Sequence, residues 1–158
     1  MAQYRLSRNT EASVVDFITT QLCTDGWSGI RVEKGFSQAY GGTIPCITVD
    51  LFDRPDRRLE LGGDKLSKFI ILEIRIFTKS DGGRQDLKDW LLDSVISGIP
   101  YYEYIITNGI VSEKILKGRI NVIEITSNRK ELVNLENLSK EDKFRHLLSL
   151  RCRVATTV

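Results

Sequence analysis

The sequence predicts an α+β domain: a mainly antiparallel β-sheet with two principal helices and an extended β-hairpin arm. Three observations carry this reading. Two segments, residues 9–23 and 80–98, repeat apolar residues at helical spacing. Several others alternate apolar and polar residues with the period of a strand. Two of these are joined by Asn108-Gly109, the dipeptide that most readily takes positive φ at both centres of a tight hairpin turn. A purely parallel sheet is incompatible with that turn. The expected order is α, β, β, β, α, β, β, β, β, without internal repeats, in one domain spanning residues 1–158.

In chain order, the first helix is expected over Asn9–Cys23. Asn9 or Thr10 caps it, Val14, Val15, Ile18 and Leu22 form its apolar stripe, Phe17 widens the stripe, and Asp25-Gly26 ends it. Ile30–Glu33 reads as a short strand. Residues 35–43, GFSQAYGGT, form a glycine-rich loop that reads first as a plain connector, with a partner-binding loop as the alternative because Phe36 and Tyr40 are costly to leave unburied. Ile44–Phe52 is a strand with Ile47, Val49 and Leu51 on one face. Leu66–Thr78 is a longer strand; Ile70, Leu72, Ile74 and Ile76 line one side, while Phe69, Ile71, Glu73, Arg75 and Phe77 line the other. Between these strands, residues 53–65 carry four charges of each sign and read as a solvated hairpin arm.

The second helix is expected to bury Leu87, Trp90, Leu91 and Val95, with Gly98 and Pro100 stopping it. Tyr101–Thr107 and Ile110–Leu116 form the Asn-Gly hairpin. Gly118 is expected to break the run before a further strand, Arg119–Thr126. Residues 127–143 read as polar and irregular, with Leu132, Leu135 and Leu138 packing down. Phe144–Val154 alternates again: Phe144, His146, Leu148, Leu150, Cys152 and Val154 face one way and Arg145, Arg151 and Arg153 the other.

The composition is that of a packed domain: 41% hydrophobic and 28% charged, with a net charge of +2. Such near-neutrality gives no reason to expect strong sequence-independent nucleic-acid binding by the whole domain. Three cysteines, Cys23, Cys46 and Cys152, are an odd number without paired spacing and read as buried reduced thiols. No charged-then-apolar leader opens the chain and no apolar run approaches the roughly 18 residues of a membrane span, so a soluble chain assembled in the cytoplasm is expected.

Chemistry is sparse. No phosphate-binding glycine motif follows a strand. A single histidine, His146, cannot build a multi-histidine metal centre, and it falls on the apolar side of the last strand as a satisfied core residue. No cofactor, metal or catalytic residue is assigned. One stretch warrants closer inspection: Pro55-Asp56, sixteen further residues and then Glu73-Ile74-Arg75 approximate the PD-(D/E)xK pattern of metal-dependent nucleases. Arginine, always protonated and forked, replaces lysine poorly there. Asp56 sits in the charged arm, and the alternative acid, Asp50, lacks the preceding proline. A nuclease using Asp50 or Asp56 with Glu73 is retained as the alternative in a different functional class. The favoured reading makes Glu73 and Arg75 part of a charged stripe, mixed with Phe69, Ile71 and Phe77, on a sheet face covered by another subunit or by a helix of the same chain.

Taken over most of residues 4–154, the chain resembles the tail terminator and head–tail joining (neck) proteins of tailed bacteriophages. RLSRNTEASVVDFITTQL at the start, DLKDWLLDSVISGIPYYEYIITNG in the middle and FRHLLSLRCRV at the end carry the resemblance. It implies a non-enzymatic virion subunit assembling into a homo-oligomeric ring, commonly a hexamer, at the tail–neck junction. Such a ring ends polymerisation of the tail tube, and of the sheath where there is one, and offers a platform to neck connector proteins. Another neck ring, such as a head-completion or adaptor protein, is the near alternative. Genomic DNA would pass the lumen without specific binding, and no membrane is involved. Under this resemblance the interface residues expected are Phe36 and Tyr40 in the loop, Arg54, Arg57 and Arg58 in the arm, and Glu73 and Arg75 on the sheet.

Overall fold

A computed structural model describes residues 5–53, 57–58, 66–67, 69–131 and 139–156. Helix α1 spans Leu6–Thr24 and α2 spans Asp81–Ile96. The strands are β1 (Arg31–Lys34), β2 (Cys46–Asp53), β3 (Arg57–Arg58), β4 (Leu66–Ser67), β5 (Ile70–Phe77), β6 (Ile99–Thr107), β7 (Ile110–Lys130) and β8 (Arg145–Thr156). Six of them form one sheet in the order β1-β2-β5-β8-β7-β6, and β3 and β4 pair separately. Only the β1–β2 pair is parallel; the others in the six-stranded sheet are antiparallel. The architecture is therefore α+β with a mixed, mostly antiparallel sheet and two helices. No described helix is long and apolar enough to cross a membrane.

The period-2 pattern decides which face is covered. In register across the three central strands lie Ile47, Val49 and Leu51 of β2, Ile76, Ile74 and Leu72 of β5, and His146, Leu148 and Leu150 of β8. Val14, Ile18 and Leu22 of α1 and Leu87, Leu91 and Val95 of α2 pack with the aliphatic residues of this set into one buried cluster, with Leu51 at its edge. Burying this stripe of Ile, Leu and Val supplies the main hydrophobic stabilisation. Both α-helices thus lie on one side, and among the described residues no α-helix covers the face bearing Glu73 and Arg75.

Several expectations need correcting. Helix α1 starts at Leu6, a turn earlier than expected, and neither Asn9 nor Thr10 caps it. Both are buried inside the helix, and the Thr10 hydroxyl donates back to the Leu6 carbonyl at 2.7 Å. Helix α2 is capped by Ser80, whose hydroxyl accepts from the Gly83 N–H at 3.1 Å. Trp90 is half-buried rather than largely buried. Its indole N–H donates to Asp25 at 2.8 Å and its ring meets Trp27 at 5.9 Å, so it closes the rim of the core where a polar partner is within reach. Cys46 and Cys152 are buried, whereas Cys23 is exposed at the end of α1.

Gly118 breaks nothing. A single strand, β7, runs through it from Ile110 to Lys130, so residues 127–130 are strand as well. From Gly118 to Ile120 β7 is paired on both sides at once: β6 runs along Ile110–Ile120, and β8 joins on the other edge from Gly118 to Lys130. A register shift between Tyr101 and Tyr102 of β6 lies where β8 joins. Asn108 and Gly109 have φ of 53° and 79°, as the hairpin turn requires. The segment holding Leu132, Leu135 and Leu138 lies outside the described residues.

Candidate functional site

The helix-free sheet face concentrates most of the polar chemistry anticipated for an interface. Strand alternation puts Asp50 of β2 directly across from Glu73 of β5, and Phe77 of β5 across from Arg145 of β8. Arg75 lies at the centre. Its guanidinium is 3.0 Å from Glu73, 3.6 Å from Asp50 and 3.4 Å from Glu131, just past the end of β7. Arg145 forms a second node, pairing with Glu131 and with Asp142 at 3.1 Å and donating to the Tyr40 hydroxyl at 2.9 Å. Two guanidinium groups thus hold four carboxylates, and the cluster keeps a negative balance.

Aromatic contacts join the glycine-rich loop to this network. Phe36 opens a short 3₁₀ turn, Phe36–Ala39, and the Arg75 guanidinium stacks 5.1 Å from its ring centre. Tyr40 meets Phe36 edge-on at 5.9 Å and Phe77 at 6.1 Å. Burial, then the hydrogen bond to Asp142, push the Tyr40 phenol above its ordinary value, so it remains a neutral hydroxyl at physiological pH. The loop is therefore anchored to the sheet, while Phe36 stays 41% exposed and Tyr40 37%.

Four of the expected interface residues, Phe36, Tyr40, Glu73 and Arg75, come together here. For Arg57 and Arg58 only the backbone is described: they form β3, paired with Ser67 and Leu66 of β4, as a hairpin arm requires. Arg54 lies outside the described residues. Glu131 and Asp142 were not anticipated, because nothing local in a polar connecting segment marks a residue that reaches a strand more than fifty positions away.

The nuclease alternative acquires one favourable feature and one adverse one. Asp50 and Glu73 are neighbours in register, as a pair of metal-binding carboxylates would be. The Arg75 guanidinium bridges both acids, so the positive charge they need is already supplied by the chain. No group of three or more His, Cys, Asp or Glu among the described residues is arranged to hold a metal ion.

On the opposite face, His146 is buried. Arg84 donates to its Nδ1 at 2.7 Å, so Nε2 carries the proton and donates to Asn128 Oδ1 at 2.6 Å. Burial, then the positive charges of Arg84 and Lys88, push the imidazole down to about 4 from 6.5. The unfolded chain takes up a proton between those values and the fold refuses it. Stability is therefore full above about pH 6.5 and falls as the pH drops towards 4, by about 3 kcal/mol from this residue. Urea midpoints at pH 7 and pH 4.5 check this: His146→Gln should lose less stability on acidification than the wild type.

No protein-family model matches the chain, and no curated protein matches its sequence.

Proposed function

We propose that this chain is a structural subunit of a phage tail terminator, forming a ring, a hexamer by the resemblance above, that caps the tail tube and receives the neck. The observation that carries the reading is the amount of surface built for contact yet left unpartnered in one subunit. The helix-free face presents Phe36, Tyr40 and the Arg75 cluster, and the β6–β7 hairpin exposes Ile105, Ile106, Ile110 and Val111. Aromatic and arginine residues beside apolar ones are the composition of protein interfaces. The sequence resemblance over residues 4–154 supplies the assembly context. A different neck ring, a head-completion or adaptor protein, uses the same surfaces and differs in the partner it meets.

The test images the purified protein with isolated tail tubes by negative stain, alongside its mass by light scattering. Rings, or caps at one end of the tube, support the terminator. A protein that ignores tubes but binds head connectors favours the other neck ring. Divalent-metal-dependent DNA cleavage that disappears in Glu73→Ala would instead establish the nuclease. The arm enters this reading as a docking element. Neutralising Arg54, Arg57 and Arg58 together should reduce tube capping at least about tenfold while leaving the melting temperature within a degree or two. Normal capping by the triple variant would remove the arm from the contact.

A further inference from the structure

The two ends of the sheet carry complementary surfaces. At one end the β6–β7 hairpin projects beyond the other strands, because β8 meets β7 only from Gly118 onward, and residues 110–117 pair with β6 alone. Both faces of this ribbon are apolar and exposed: Ile105 is 36% exposed, Ile106 41%, Ile110 72% and Val111 53%. A two-stranded ribbon with so much bare apolar surface is marginal in water and is stabilised by a partner. Its uncompensated charge is acidic. Lys114 is committed to Asp16 of α1 and Lys117 is engaged as well, whereas Glu103 and Glu113 form no ion pair among the described residues.

At the other end, where β5 finishes and β8 begins, lies an open cleft of about 470 Å³. Thr43, Ile44 and Phe144 give it apolar walls and Lys79, Lys140 and Lys143 ring it. Lys140 is held near Gly42 and Glu141, at 3.2 and 3.8 Å, but Lys79 and Lys143 have no ion pair among the described residues. The 21 residues of β7 run from the hairpin turn to this end, on the order of 60 Å if extended, so the two surfaces cannot meet within one chain.

We infer that the acidic, apolar tip of the β6–β7 hairpin of one copy docks into the lysine-ringed cleft of a second copy. The inference rests on the ring reading above and names its contact. The charges are opposite, and each surface offers apolar area to the other. Because the contact joins two different patches, it propagates from copy to copy and closes into a ring when the rotation between neighbours permits.

The test reverses charge at exposed positions and follows self-association by sedimentation at low salt and at about 0.5 M salt, where such pairs are screened. Wild-type association should weaken at high salt. Glu113→Lys and Lys143→Glu should each weaken it at least about tenfold at low salt, and E113K/K143E in one chain should return it to within about threefold of wild type. Unchanged melting temperatures keep a folding defect from imitating the result. Wild-type oligomers indifferent to both reversals overturn the contact and leave the ring intact through other surfaces. A wild-type chain that remains monomeric at high concentration overturns the contact, while tube capping still decides the terminator reading. If Lys143→Glu abolishes binding of a DNA duplex but leaves association unchanged, the cleft serves nucleic acid and the contact is likewise overturned.

Discussion

Gly118→Ala should be among the most damaging single substitutions in the protein, although it adds only one methyl group. A Cβ at this position would lie 2.0 Å from the Ala155 carbonyl oxygen and 2.8 Å from the Thr156 Cα. Both obstacles are backbone of the neighbouring strand, so no side-chain rotation relieves them. Strand β8 would have to move away from β7 at the point where the pairing of these two strands begins. The expected loss is on the order of 3 kcal/mol, read as a lowered urea midpoint, with Gly118→Val worse. Gly109→Ala is the control. Its φ of +79° strains any other residue, but nothing lies within 4 Å of an added Cβ, so the cost should stay near 1 kcal/mol. Equal effects at the two sites would contradict close packing of β8 on Gly118.

Arg75→Ala should rank next, with a loss of about 2–3 kcal/mol at pH 7. The substitution strands Asp50, Glu73 and Glu131 together without the cation that binds all three. Breaking a fully buried pair costs more, but the Arg75 side chain is 17% exposed, and water screens part of the repulsion. Phe36 also loses the guanidinium stacked on its ring, so the glycine-rich loop should become more accessible to proteases. Adding Asp50→Asn to Arg75→Ala should restore part of the stability by removing one of the stranded charges. A double variant no more stable than Arg75→Ala would show that the arginine acts through packing rather than charge.

How much of this was legible beforehand varies with the range of the interaction. The two-residue alternation in FIILEIRIF sorted Leu72, Ile74 and Ile76 from Glu73 and Arg75 correctly, since a strand's faces follow directly from residue order. The Asn-Gly turn was likewise local and appears where expected. The same alternation placed His146 among apolar residues. It did not reveal Arg84 and Asn128, its hydrogen-bonding partners from other elements. Glycine at 118 reads locally as a stop because isolated glycines weaken strands, whereas here the missing side chain admits a neighbouring backbone.

The sequence by itself determined the fold class, both helices, the hairpin and the inward face of each central strand, because periodicity and turn chemistry act over a few residues. Tertiary structure alone decided that both helices share one face, that Glu131 and Asp142 complete the arginine cluster, and that acidic-apolar and basic surfaces stand at opposite ends. Those outcomes depend on strand order and on contacts between residues far apart in the chain, and no local pattern encodes the direction in which a packed neighbour arrives.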